Sequence, residues 1–220
     1  MKSLKEVVFD GCDSLESYNC PYTVESLSIV YCGSMTSLTT STTHEHPSSI
    51  VGNCDNIQPI SRLTSLHISD CNNLKSISQE HFTALEEMLI YGGMDYSFPC
   101  GLWPPNLRHL KIGGLNKPMS EWGVQNFPSS LVKLVLYGEN SGVVSFAVAE
   151  DVSNTAPSPS FLLPPSLVSL QLYNFEDVES FSEVLQHLPF LKTLYIYYCP
   201  KIRDIKATSD PSSKLRIMVR

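Results

Sequence analysis

The sequence predicts an α/β solenoid, a horseshoe with a parallel β-sheet on its concave face and mostly irregular segments on its convex side. Three observations carry that expectation. First, across 220 residues an apolar residue opens the frame L-x-x-L-x-L-x-x-(C/L)-x-x-(L/I) eight times, at Leu4, Val24, Leu63, Leu85, Leu107, Leu131, Leu167 and Leu191. Second, most starts in the second half lie 22 or 24 residues apart. Third, the L-x-L inside each frame alternates with the period of a strand, so its leucines point one way and the residues between them the other.

A period of this length is that of a leucine-rich repeat, one short strand and one return segment per coil. No coil buries its own apolar edge, so the coils must stack, and stability becomes a sum over neighbours. Coils one to three and coil eight place Cys12, Cys32, Cys71 and Cys199 at the ninth position of the frame. There the chain turns inward as it leaves the strand, and a small polarisable side chain accompanies the bent backbone without leaving a void. Coil three is the cleanest early copy, with Leu63, Leu66, Ile68, Cys71 and Leu74. Coils five to eight are each preceded by proline: Pro104-Pro105, Pro128, Pro164-Pro165 and Pro189. Proline there fixes an extended approach and stops the preceding segment from continuing as helix. Coil seven reads Leu167, Leu170, Leu172, Phe175, Val178, and coil eight Leu191, Leu194, Ile196, Cys199, Ile202. Brief helical turns are expected near residues 79–85 and 181–187.

Two intervals break the rhythm, 39 residues from Val24 to Leu63 and 36 from Leu131 to Leu167. Each holds a polar stretch rich in Thr, Ser and Pro, with too little apolar area to offset the entropy of ordering. Both are expected to be insertions, near 39–60 and 140–163, in a single domain over 1–220. A degenerate coil hidden in the first is the alternative.

Seven cysteines, four of them on one structural column, look like packed core thiols, and the odd total argues against a closed disulfide framework. No Asn has Ser or Thr two residues on, and no stretch is apolar enough to cross a bilayer. The start, Met-Lys-Ser-Leu-Lys-Glu, has no apolar signal core. These features predict a cytoplasmic, reducing location. A net charge of −7 weighs against nonspecific nucleic-acid binding.

The pairing of L-x-x-L-x-I-x-x-C-x-x-L with an apolar, proline-led approach, as in Leu63–Leu74 and Leu188–Ile202, resembles the C-terminal repeat domain of plant intracellular nucleotide-binding leucine-rich-repeat immune receptors of the coiled-coil class. The likeness covers essentially the whole chain. Plant extracellular repeat kinases carry a G-x-I-P element that this sequence lacks. The resemblance implies a domain that senses pathogen proteins, or host proteins they modify, and restrains a nucleotide switch. No G-x-x-x-x-G-K-[ST] phosphate loop is present, so ADP or ATP would bind only in another part of a parent receptor. Met1 lies three residues before the first frame and Leu215-Arg216-Ile217-Met218 begins another strand, which suggests a fragment of a longer receptor.

The seventh position of the frame gives Asp10, Val30, Ser69, Tyr91, Gly113, Tyr137, Tyr173 and Tyr197; the eighth adds Tyr31 and Tyr198, and the fifth adds His67, Lys111 and Tyr195. Tyrosine offers large contact area, little rotamer entropy and a polar tip, so a protein-binding stripe on the concave face is expected. Tyrosine is also simply a good strand residue that stacks across neighbouring strands. Between Lys133 and Lys192 no Lys or Arg occurs, whereas seven basic residues follow from Lys192 onward. Such asymmetry could steer a partner or another domain, or be only a solvated face.

No catalytic or metal constellation emerges. His44-Glu45-His46 lacks ligand spacing, and Ser141 falls one place too late for a nucleophile elbow. His67 and His109 have no carboxylate orienter evident from the frame. The chain therefore reads as a non-enzymatic protein-binding module without cofactor, metal or membrane span, acting in defence. The alternative is a repeat adaptor linked to an F-box that presents substrates for ubiquitin transfer.

Overall fold

The computed structural model describes residues 4–40, 61–77, 82–94, 103–148, 160–206 and 215–220. In chain order the strands are β1 (Glu6–Asp10), β2 (Ser17–Cys20), β3 (Ser26–Val30), β4 (Ser37–Thr40), β5 (Ser65–Ser69), β6 (Ser76–Ile77) and β7 (Glu87–Tyr91). They continue with β8 (His109–Gly113), β9 (Lys133–Tyr137), β10 (Ala147–Val148), β11 (Ser160–Phe161), β12 (Ser169–Tyr173), β13 (Thr193–Tyr197) and β14 (Arg216–Val219). A nine-stranded sheet runs β1-β3-β5-β7-β8-β9-β12-β13-β14, and every neighbouring pair in it is parallel. Each frame contributes its third to seventh residues as one strand, so the repeat architecture follows the periodicity of the sequence.

Register is set by the two inward positions of the frame. Leu110 pairs with Leu134, Leu134 with Leu170, and Leu170 with Leu194, while Ile112, Leu136, Leu172 and Ile196 form a second row. All eight are buried to 1% exposure or less, so a slip of one residue would turn a whole row into water. Burial of each such side chain contributes about 1.5–3 kcal/mol against the entropy of ordering the coil.

Before the strand, the proline-led approach closes a turn. The backbone N–H of Leu107 donates to the Pro104 carbonyl at 3.1 Å, Leu131 to Pro128 at 3.1 Å and Leu167 to Pro164 at 3.3 Å. The residue just ahead of the frame then ties the coil to its predecessor: Asn106 Nδ2 donates to the Thr83 carbonyl, Ser130 Oγ to Leu107 and Ser166 Oγ to Leu131. After the strand, the ninth-position thiols of Cys32, Cys71 and Cys199 donate to the carbonyls of Val30, Ser69 and Tyr197. The described cysteines are free thiols, and burial raises the pKa of the Cys32, Cys71 and Cys199 thiols, which makes them poor nucleophiles. Cys54 and Cys100 lie outside the described residues.

The convex side is more regular than expected in the first three coils. Strands β2, β4 and β6 form a second parallel sheet, each beginning thirteen residues after its frame opens. Their inward residues Cys20, Leu38 and Ile77 are buried, enough alternation to pair extended segments. Later coils carry bulk instead. Two 3-10 turns, Met119–Glu121 and Val124–Asn126, bracket the fully buried Trp122, and the fully buried Phe181 opens helix α1 (Ser182–His187). Helix α1 falls in the expected place; of the other expected turn, residues 79–81 lie outside the described residues and 82–85 form a turn closed from Leu85 N–H to the Phe82 carbonyl.

Across both long intervals the sheet continues without an intervening strand. β3 pairs directly with β5, and β9 with β12. Antiparallel β10 and β11 flank residues 149–159, which, like 41–60 with His44-Glu45-His46, lie outside the described residues. β14 forms the expected further strand beside β13.

Candidate functional site

Alternation turns positions three, five and seven of every frame toward the concave face, so the sheet displays three rows of side chains. The seventh-position row is dominated by tyrosine. Tyr137 and Tyr173 stack with ring centroids 4.9 Å apart and planes 19° apart, and Tyr173 and Tyr197 stack at 4.8 Å and 12°. Tyr91 joins the ladder edge-on to Tyr137 at 4.9 Å. Four of the expected tyrosines thus form one continuous ladder from β7 to β13. Tyr195, in the fifth-position row, lies parallel to Tyr197 at 6.1 Å. All five are half-buried, their edges free to meet a partner.

Gly113 is why the ladder can cross β8. A Cβ there would fall 2.4 Å from Tyr137 Cβ and 2.8 Å from its Cα, so the bare backbone lets the Tyr91 and Tyr137 rings close over it. Burial raises the phenol pKa of Tyr91, Tyr137 and Tyr173; Glu139 adds to the shift at the first two, and the neighbouring tyrosines do so at the last. The phenols remain neutral hydrogen-bonding groups across the physiological range. Tyr173 Oη donates to Gln171 Oε1 at 3.2 Å.

Tyr31 and Tyr198 stand apart from the ladder, at the eighth position, where the chain leaves the strand. That position takes positive φ in seven of the eight frames, in Gly11, Tyr31, Asp70, Gly92, Gly114, Asn174 and Tyr198. Gly, Asn and Asp suit the left-handed region, whereas a bulky side chain adopts it at a cost. Tyr31 (φ 53°) and Tyr198 (φ 55°) are nevertheless there, 60% and 72% exposed. Their backbones are fixed, because Tyr31 N–H donates to the Ser69 carbonyl and Tyr198 N–H to that of Arg220.

His67 and Lys111 occupy the fifth-position row two strands apart, with Leu89 between them. Burial first, and Lys111 second, lower the His67 pKa, against the opposing charge of Asp70. His109 departs from expectation: its Nδ1 lies 2.9 Å from Glu87 Oε1, a carboxylate partner on the adjacent strand. Both residues hold the third frame position, on adjacent strands. Two hollows sit on this face. One, about 340 Å³, is bordered by His67, Glu87, Leu89, Lys111, Lys133 and Val135; the other, about 360 Å³, by Leu89, Tyr91 and Tyr137.

Among the described residues no group of three or more His, Cys, Asp or Glu could hold a metal ion, and no helix is long and apolar enough to cross a membrane. A solenoid of this kind is typically a non-catalytic recognition module. No family model matches the chain. It is similar to an Arabidopsis thaliana protein named "Putative disease resistance protein", 28% identical over 166 residues, which are 72% of this chain and 11% of that protein. The chain therefore spans about a tenth of the length of the curated relative it matches. The parallel repeat fold and this similarity together fit the leucine-rich-repeat domain of a disease resistance protein.

Proposed function

We propose that the chain is the protein-recognition domain of a plant intracellular immune receptor and grips its partner with the concave tyrosine ladder. The partner is a pathogen effector or a host protein that an effector has modified. In its absence the domain restrains a nucleotide switch carried by the rest of the parent protein. ADP or ATP would bind there and not in this chain, and the receptor would act in the cytoplasm.

The observation that carries the reading is the ladder itself. Four half-buried tyrosines in contact offer a rigid, amphipathic surface that loses little side-chain entropy on binding, and aromatic anchors of this type dominate protein interfaces. The defence setting rests on the Arabidopsis relative.

The test is made in leaves, with the parent receptor carrying Tyr137→Ala, Tyr173→Ala and Tyr197→Ala together. Loss of pathogen-triggered cell death at unchanged protein level is expected. Undiminished triggering by a folded triple variant would reject the ladder as the recognition surface.

A further inference from the structure

The middle of the concave face has a charge opposite to that of the whole chain. Although the net charge is −7, Lys111 on β8 and Lys133 on β9 lie diagonally across adjacent strands, opposite Val135 and His109 respectively, and form no ion pair among the described residues. Lys111 is exposed and Lys133 half-buried. The one carboxylate bordering their hollow, Glu87, is already engaged by His109 at 2.9 Å. Near neutral pH the lowered pKa of His67 leaves it an uncharged imidazole there, so the local excess of positive charge comes from the two lysines. Lys111 lies in register between Leu89 and Val135, and the second, more apolar hollow opens directly alongside, between Leu89, Tyr91 and Tyr137.

Resting on the recognition role proposed above, we infer that the concave face of coils four to six receives an acidic protein segment, its carboxylates on Lys111 and Lys133 and a neighbouring aromatic or aliphatic side chain in the Leu89–Tyr91–Tyr137 hollow. Charge complementarity selects this occupant. Two ammonium groups in no ion pair, against the single carboxylate of Glu87 on the border of their hollow, favour carboxylates and repel basic segments, while the adjoining apolar hollow demands a side chain that gives up its water. Adjacent strands lie about 4.8 Å apart and outward residues on one strand about 7 Å apart, so an extended segment can span both features with residues a few places apart.

Random dodecapeptides displayed on phage, panned against the full chain, supply the probe. The expected selection carries at least two Asp or Glu residues close to an aromatic or aliphatic one. Synthetic copies should bind Lys111→Glu/Lys133→Glu at least about tenfold more weakly than the unaltered chain, and added salt should weaken the original binding. If the charge-reversed protein fails to fold, Lys111→Gln/Lys133→Gln and the salt titration of the unaltered chain replace it. No selection, selection without acidic excess, or affinity indifferent to the lysine changes and to salt overturns the inference. Neutral peptides that still lose binding to the triple tyrosine variant would sink the acidic segment and leave the ladder reading intact. Peptides indifferent to both sets of changes would remove both.

Discussion

Tyr91 and Tyr137 belong to strands two places apart in the sheet, yet their rings meet edge-on at 4.9 Å across Gly113 of the strand between them. The contact exists because β8 has no side chain at the seventh position. It joins Tyr91 to the stacked trio of Tyr137, Tyr173 and Tyr197 and makes one surface across five coils, from β7 to β13.

Gly113→Ala should therefore damage both fold and face. With its Cβ 2.4 Å from Tyr137 Cβ and 2.8 Å from Tyr137 Cα, the backbone of β8 or β9 must shift. Urea unfolding should register a loss of about 1–3 kcal/mol, the range for overpacking at a close contact. Near-ultraviolet circular dichroism should also change as the tyrosine pair separates. An alanine variant with unaltered stability and spectrum would mean that the rings do not close over this glycine.

The eighth position makes the opposite prediction. Tyr31 and Tyr198 hold positive φ where other coils use Gly, Asp or Asn, and both are largely exposed. Tyr31→Gly and Tyr198→Gly should each stabilise the chain by about 0.5 kcal/mol, the relief of left-handed strain exceeding the entropy that glycine adds to the unfolded state. If the two tyrosines are contact residues, the same changes should weaken partner binding while strengthening the fold. Thermal melts of both variants decide the first half; a lower melting temperature would show that their rings support the structure.

His67 sets a pH dependence. In the unfolded chain its imidazole titrates near 6.5; in the folded chain burial and then Lys111 hold the pKa lower, despite Asp70. Between the two values the unfolded chain binds more protons, so stability present at neutral pH is lost as pH falls from about 6.5 toward the folded value. Melting temperatures followed across this window should decline, and His67→Gln should flatten that part of the profile. An unchanged profile in the glutamine variant would assign the acid sensitivity to other groups.

Much of this was legible in the sequence because one physical demand repeats. Leu110, Leu134, Leu170 and Leu194 must all be buried, so their spacing states the register outright, and the seventh-position tyrosines inherit their place from it. Other features do not repeat and were hidden for that reason. The convex sheet rests on segments as short as Ser76–Ile77, too brief to show a period. The Glu87–His109 contact needed only the third frame position compared between adjacent coils. The left-handed backbone of Tyr31 and Tyr198 was masked by residue type, since only Gly, Asp and Asn in the matching positions signal it.

The proposed recognition turns on whether the ladder binds. The direct measurement is the dissociation constant of a display-selected peptide for the unaltered chain and for Tyr137→Ala/Tyr173→Ala/Tyr197→Ala, with circular dichroism confirming that both are folded. Loss of Tyr137, the one of the three that borders the hollow proposed for the peptide, should by itself weaken binding at least about tenfold, since a hot-spot side chain contributes about 2 kcal/mol or more. Equal constants for two folded proteins would contradict it.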